Sequence, residues 1–187
     1  MAEITIPKKG DLLISEPFLD DPNFERSVIL ICEHGDEGSL GFVLNKPTKH
    51  TLSDVMDEVN HFESQLYQGG PVQLDTLHFI HRMGGEIREG QKLRPDIFWG
   101  GSFEQLLSMM NTYQLESRNI RFFLGYSGWS PGQLEGELKE NAWFVYQNTS
   151  AYDVFDLSTQ DLWRMVLNNM GGKYKMFSNY PSDPRLN

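Results

Sequence analysis

The sequence predicts a single α+β domain with a β-rich first half and a second half in which strands alternate with helices. Its 187 residues are enough for one substantial core and do not require two. The first third contains short apolar runs bounded by Gly, Pro, Asp and Asn, a pattern typical of strands. From residue 97 onward, short apolar runs alternate with apolar stripes at helical spacing, which gives a βαβαβ-like order.

The first half begins with three expected strands, at 10–15, 27–33 and 41–45. The second is apolar at every position from Val28 to Cys32, so both of its faces should be covered, as in a central strand. Pro47 ends the third. Residues 51–62 then carry apolar side chains at helical spacing, which predicts a helix with one buried face. This stripe consists of Leu52, Val55, Met56, Val59 and Phe62.

The β-rich first half continues with expected strands at 66–68 and 76–80, followed by a polar turn region at 83–95, and the order changes from residue 97 onward. A strand at 97–99 leads into Ser102, a typical N-cap residue, and a helix. A strand at 120–126, a helix at 131–140 and a strand at 142–146 follow, and this alternation predicts parallel crossovers. A last helix begins with Ser158 and Asp161 and stops at Gly171 and Gly172. Residues 173–187 are predicted to be a loosely ordered tail.

The charge distribution argues against direct nucleic-acid binding. The formal net charge is −10 at pH 7, and between Ser127 and Met170 the basic residues are Lys139 and Arg164 alone. A nucleic-acid groove needs Lys and Arg gathered on one face. The N-terminus lacks the pattern of a signal peptide and no segment approaches the length of a membrane span, so we expect a soluble cytoplasmic protein.

The segment 125–134 combines small, hydroxylated and aromatic residues between a strand and a helix. The pattern predicts Ser130 as the N-cap of a helix, Pro131 as its first residue and Gln133 as the capping-box partner. A helix should therefore begin there, and its free backbone N–H groups, close to Ser127 and Gly128, would favour an anion.

The same segment approximates the Gly-x-Ser-x-Gly nucleophile elbow, with Ser127 in the central place. It departs at the fifth place, where Trp129 is bulky although the elbow needs a small residue. Every histidine also precedes Arg82, whereas the elbow's histidine is expected downstream. A hydrolase or transferase that uses Ser127 as its nucleophile is therefore kept as the alternative to a structural or ligand-binding turn.

Histidine and cysteine offer two further hypotheses. His78 and His81 are three residues apart in a strand, which places them on opposite faces, so they should not bind one metal ion together. Cys32 and His34 share a face but are too few for a metal site, and no metal or cofactor is expected. Two interpretations of Cys32 remain. The favoured one is an inert buried thiol, and the other is a redox sensor whose thiol pKa is lowered by His34 and Arg26.

Five segments, in this order, carry a family resemblance: 23–28 (NFERSV), 32–34 (CEH), 38–47 (GSLGFVLNKP), 69–72 (GGPV) and 125–134 (GYSGWSPGQL). Together they resemble the bacterial AlgH/YqgE family over roughly residues 10–143. The resemblance implies an α+β fold with a bent mixed β-sheet flanked by helices. Members of the family are often described as transcriptional regulators, without a recognised DNA-binding motif, and the resemblance supplies no catalytic residue.

The sequence thus favours a non-enzymatic cytoplasmic regulatory or adaptor protein. Its predicted cleft lies near the helix start at Ser127–Ser130 and would bind a small anionic ligand or a segment of an unidentified protein. Glycine pairs and aromatic residues would form the walls, and Arg26, Asn45 and Lys46 would supply polar groups. The complete predicted pocket consists of Arg26, His34, Asn45, Lys46, Gly69, Gly70, Gly100, Gly101, Tyr126, Ser127, Gly128, Trp129 and Ser130.

Overall fold

The computed structural model describes residues 4–59, 61–147, 149–150, 154–155 and 161–181. Within these ranges the chain forms ten strands and four α-helices. The strands are β1 (Leu12–Ser15), β2 (Val28–Gly35), β3 (Gly38–Val43), β4 (Pro47–Thr51), β5 (Gln65–Gln68), β6 (Val72–His81), β7 (Gln91–Arg94), β8 (Ile97–Trp99), β9 (Ile120–Trp129) and β10 (Trp143–Tyr146). The helices are α1 (Phe103–Asn111), α2 (Gln133–Lys139), α3 (Leu162–Met170) and α4 (Gly172–Phe177).

One sheet connects all ten strands, and β9 joins its two halves. The strand order is β10-β1-β2-β3-β9-β6-β8-β7, and β4 and β5 attach beside β9. Neighbouring strands are antiparallel except β5 and β9, so the sheet is mixed and the predicted α+β class is confirmed. Strands β8, β9 and β10 run in the same direction, as the alternation of strands and helices in the sequence predicts. They are not neighbours in the sheet, because other strands lie between them.

The two halves of the sheet meet at a bend in β9. Residues 120–126 of β9 pair with β6, whereas Ser127 to Trp129 pair with β3. Gly125 lies at the change of partner with a φ of 67°, a conformation that glycine adopts without steric cost. Gly69 and Gly70 pack directly against the backbone of Gly125 and Tyr126, where a Cβ atom would overlap main-chain atoms. The Gly69–Gly70 pair is therefore required for close backbone approach at the bend.

Three buried clusters stabilise this sheet. Alternate residues of β2 contribute to two of them: Leu30 packs with α3 residues such as Trp163, and Ile31 packs with Leu134 of α2. Both faces of β2 are thus covered, which confirms the prediction of a central strand. The third cluster places Leu106 of α1 against Phe122 of β9.

The chain between β3 and β5 differs from the predicted helix at 51–62. It forms two 3₁₀ turns, Leu52–Asp54 and Asp57–Val59, after strand β4. Leu52, Val59 and Phe62 are buried as expected, but Val55 is exposed. Ser, Asp and β-branched residues within the segment disfavour a continuous α-helix, and short turns bury the same apolar anchors.

The helix predicted at 131–140 begins later than expected. Strand β9 continues to Trp129 because β3 pairs with it, and Gly132, with a φ of 77°, is the N-cap of α2. Ser130 is not the cap, although its backbone N–H donates to Oε1 of Gln133 at 3.0 Å. The resulting α2 has seven residues, too short for a dedicated anion site at its N-terminus.

Two other segments are more ordered than the sequence predicts. The polar region 83–95 contains β7, which pairs with β8. The predicted tail contains α4, and the carbonyl oxygen of Tyr180 accepts a hydrogen bond from Arg26 at 2.6 Å. Aromatic packing of Tyr174 and Phe177 on Phe144 holds α4 in place. Ser158, one of the two predicted starts of the last helix, and residues 182–187 lie outside the described residues; α3 is capped by Asp161.

Candidate functional site

Ser127 lies inside the protein at the bend of β9. Its side chain is fully buried, and its hydroxyl donates to the carbonyl oxygen of Gly69 at 3.0 Å. A nucleophilic serine needs access to substrate and a neighbouring base. Ser127 has a backbone carbonyl as its partner, so the geometry supports a structural role in joining β9 to the chain before β6.

Trp129 and Trp143 share one carboxylate acceptor. Their indole N–H groups donate to Oε2 of Glu137 at 2.9 and 2.7 Å, and the Gln133 amide donates to Oε1 at 3.0 Å. Both rings are buried and contact Phe24. Trp129, which the sequence predicts to line a cleft, therefore anchors α2 to the sheet.

The predicted polar residues Arg26, Asn45 and Lys46 lie together and each already has a partner within the protein, although the buried Nε of Arg26 forms no hydrogen bond. Asn45 accepts from the Val28 N–H at 2.9 Å and donates to the Arg26 carbonyl at 2.7 Å. The Arg26 guanidinium packs on Trp163, 4.8 Å from the ring centre, while it donates to Tyr180. Lys46 donates to the carbonyl oxygens of residues 22 and 23, and partial burial lowers its pKa, an effect that Asp21 and Glu25 oppose.

The other predicted pocket residues lie at separate places. His34 is at the far end of the β2–β3 hairpin from Asn45, where its Nδ1 lies 2.8 Å from Oγ of Ser39 and its Nε2 lies 3.8 Å from Glu135. Gly100 and Gly101 follow β8 and pack against His81 and Arg88. The thirteen residues thus do not converge on a single cleft.

A different cluster, of half-buried side chains around one buried ring, lies where the two halves of the sheet meet. We call it the aromatic face and define it as Leu40, Phe42, His78, Trp99 and Tyr126. Phe42 is fully buried and lies beneath the other members of the aromatic face. The centre of its ring is 5.2 Å from that of the His78 ring and 5.9 Å from that of the Trp99 ring. Tyr126 meets His78 edge to face at 6.0 Å.

The members of the aromatic face around Phe42 are half-buried. Within the described part of the chain, neither the Trp99 indole N–H nor the Tyr126 hydroxyl forms a hydrogen bond to protein. Rings that combine a large apolar surface with a free polar group are enriched at protein interfaces. Tyr126 and Gly128, two residues of the predicted pocket, lie here, with the Tyr126 ring 3.2 Å from the position of a Gly128 Cβ.

His78 and His81 point to opposite faces of β6, as their spacing predicts. His78 contacts Phe42, whereas His81 packs between Phe79 and Phe98. Nε2 of His81 is 2.9 Å from the Gly100 carbonyl, and Nδ1 accepts from the Met83 N–H, a pattern that requires the neutral imidazole. Among the described residues, no group of three or more His, Cys, Asp or Glu side chains could hold a metal ion.

Acidification is expected to destabilise the protein through these two histidines. Burial lowers the pKa of both, while the Gly100 hydrogen bond and Glu86 oppose this for His81. The unfolded chain therefore takes up protons first, and stability falls as the pH drops below about 6.5. Melting temperatures at about pH 7.5 and 5.5 should differ less for a His78→Gln/His81→Gln double variant than for the parent. Equal pH dependence in both would contradict this assignment.

Cys32 is completely buried, and burial raises the pKa of its thiol, with Glu33 adding to the effect. Its Sγ contacts the Leu30 carbonyl at 3.8 Å. The geometry favours the inert thiol over the redox sensor because an exposed thiolate is needed for reaction.

We expect the native Cys32 thiol to resist Ellman's reagent and to react once the chain is unfolded in guanidinium chloride. The chain has one cysteine, so absorbance reports this residue alone. Comparable reaction rates in both states would show that the thiol is accessible and would revive the redox hypothesis.

The fold and the site define an α+β protein built on a bent, largely antiparallel sheet with a half-exposed aromatic cluster at its bend. No described helix is long and apolar enough to cross a membrane. The AlgH-like family profile matches residues 12–175, and the chain belongs to this family.

Relatives match over nearly the whole chain. A UPF0301 protein of Cytophaga hutchinsonii is 47% identical over 96% of this chain and 98% of its own length. A UPF0301 protein of Chlorobaculum parvum is 40% identical over 99% and 98%. The solution structure of AlgH from Pseudomonas aeruginosa is similar with a TM-score of 0.71 and 27% identity, covering 92% of this chain and 94% of that one. A crystal structure from Corynebacterium diphtheriae shares the fold, with a TM-score of 0.79, 23% identity and 95% coverage of both chains.

Proposed function

We propose that this protein is a non-enzymatic cytoplasmic regulatory or adaptor protein that binds a segment of another protein at the aromatic face. The observation that carries the proposal is the half-buried cluster of His78, Trp99 and Tyr126 around buried Phe42. Large rings with unengaged hydrogen-bonding groups commonly dominate the binding free energy of protein interfaces.

The basic residues of the predicted pocket already form hydrogen bonds within the protein. This favours a protein segment over a small anionic ligand as the binding partner. Arg26 and Lys46, the cations of the predicted pocket, donate to backbone carbonyl groups of their own chain. An anion at these cations would compete with those hydrogen bonds for the same charged groups. The aromatic face requires no such rearrangement, because its indole and hydroxyl groups lack protein partners within the described residues.

Burial of Ser127 weakens the alternative of a hydrolase or transferase. Its hydroxyl lacks solvent access and donates to a carbonyl group. A serine-directed fluorophosphonate tests this alternative directly: we expect no adduct on Ser127, and a stoichiometric adduct there would favour the enzyme.

The proposal is tested by photo-crosslinking in the native host. p-Benzoylphenylalanine is placed at position 126 and, as a matched control, at Tyr113, which is 79% exposed on another part of the surface. We expect a specific protein adduct from position 126 and not from position 113. The crosslinked protein is then purified, and its Kd is measured for the parent and for Trp99→Ala. An unchanged Kd, or identical adducts from both positions, would overturn the proposal.

A further inference from the structure

Of the strands that form the aromatic face, β3, β6 and β8 carry no basic residue; basic residues are found at Arg121 of β9 and at Lys92 and Arg94 of β7, which pairs with β8. The sequence has no Lys or Arg in residues 27–45, 72–81 or 122–138, which include β2, β3, β6 and most of β9. The same stretches contain Glu33, Asp36, Glu37 and Asp75. A partner that docks at this face approaches an anionic surface, and opposite charge would steer it.

Glu33 is paired in register with a member of the aromatic face. It lies directly opposite Leu40 across the β2–β3 pair, so the two side chains share a face of the sheet. The pairing shifts at Cys32, a bulge that turns the exposed Glu33 toward the side on which Leu40 and Phe42 lie. A carboxylate thus lies beside Leu40, at the edge of a cluster of half-buried aromatic rings, and this combination suits a cation with a flat apolar surface.

Guanidinium groups already pack on aromatic rings in this chain. Arg121 lies 4.6 Å from the centre of the Tyr67 ring, and Arg26 packs on Trp163 in the same way. Tyr67 lies opposite Phe123, which in turn lies opposite His78, so the Arg121–Tyr67 contact occupies the same side of the sheet as the aromatic face. On this side of the sheet the chain therefore already packs one guanidinium group against an aromatic ring.

We propose that the aromatic face receives an arginine side chain from a basic segment of the partner, stacked on Tyr126 or Trp99 with its charge close to Glu33. This inference rests on the proposed function and names the partner's chemistry. Arginine fits better than lysine because its guanidinium is planar and weakly hydrated. A symmetric contact with a second copy of this chain is disfavoured, because each copy carries a formal net charge of −10 and would present the same acidic residues.

The test uses three fluorescein-labelled peptides of the same Gly-Ser spacing that carry arginine, lysine or citrulline. Citrulline retains the shape of arginine but has no charge. We expect the arginine peptide to bind at least about tenfold more tightly than the citrulline peptide, to bind more tightly than the lysine peptide, and to weaken with added salt.

Protein variants locate the binding. Tyr126→Ala should weaken binding of the arginine peptide by about tenfold, and Glu33→Gln by about threefold. Glu63→Gln, an exposed carboxylate beside α1, should leave it unchanged. Thermal melting checks that each variant is folded, and exposed Glu33 gives a readout even if Tyr126→Ala is unstable.

Equal binding of the arginine and citrulline peptides would overturn the inference. So would an arginine affinity that Glu33→Gln and Glu63→Gln change equally, since that result indicates attraction by net charge alone. The proposed function is tested by a separate result. A specific adduct from position 126 to a partner segment without arginine would support the proposed function and contradict the arginine inference, whereas the absence of a specific adduct would contradict the proposed function itself.

Discussion

Gly70→Ala is expected to prevent stable folding, with a loss of about 3 kcal/mol or more in the free energy of unfolding. A Cβ atom at Gly70 would overlap the carbonyl group of Tyr126. That carbonyl belongs to β9, which is held by β6 on one side and by β3 just beyond, so the backbone cannot move away without breaking the sheet. Urea unfolding followed by circular dichroism measures the effect.

Gly136→Ala is the matched control for this prediction. Gly136 lies within α2, and no atom lies within 4 Å of the position of its Cβ. The same substitution should therefore stabilise the protein by about 0.5–1 kcal/mol, because alanine loses less backbone entropy in a helix. A Gly70→Ala variant as stable as Gly136→Ala would contradict the close packing at the bend.

Glu137→Ala is expected to destabilise the protein by about 2–4 kcal/mol, since it removes a charged acceptor from two buried indole N–H groups. Trp129 and Trp143 lie on different strands, and Glu137 of α2 joins them. Loss of the carboxylate leaves both donors unsatisfied where water has little access.

Glu135→Ala provides the comparison on the same helix. Glu135 is only half-buried, and its nearest ionic partner is His34 at 3.8 Å, so its removal should cost less than about 1 kcal/mol. Chemical unfolding of both variants gives the two free energies. Similar losses for Glu137→Ala and Glu135→Ala would show that the shared indole acceptor is not important for stability.

Features that depend on local sequence could be predicted. The uninterrupted apolar run of β2 predicts a strand covered on both faces, and the structure places helices on both sides. Ser102 is recognisable as the N-cap of α1 because its side chain can accept the Gln105 N–H, which it does at 3.4 Å. The separation of His78 from His81 follows from the two-residue period of a strand.

Features that depend on strand pairing could not be predicted. Gly125 looks like the end of a strand, yet β9 continues because β3 pairs with Ser127 and its neighbours. Once the strand extends to Trp129, alternation places Ser127 inside and Tyr126 on the partly exposed side. The aromatic face draws Phe42, His78 and Trp99 from three other strands, and no local pattern brings these positions together.

The candidate site was therefore only partly accessible to sequence analysis. Tyr126 and Gly128 were in the predicted pocket, whereas Phe42 and Trp99 were not. The motif 125–134 contains residues that stabilise the fold and residues that belong to the aromatic face, and the structure distinguishes the two. Most of its conspicuous side chains stabilise the bend and anchor α2, whereas Tyr126 is half-buried in the aromatic face.

Paired measurements on two adjacent residues test the central claim most directly: the Kd for the crosslinked partner and the melting temperature of Tyr126→Ala and Ser127→Ala. We expect Tyr126→Ala to weaken binding at least about tenfold with a small change in melting temperature. Ser127→Ala should cost about 1 kcal/mol of stability through the lost hydrogen bond to Gly69 and leave the Kd unchanged. A weakened Kd for Ser127→Ala, together with full binding by Tyr126→Ala, would contradict the account.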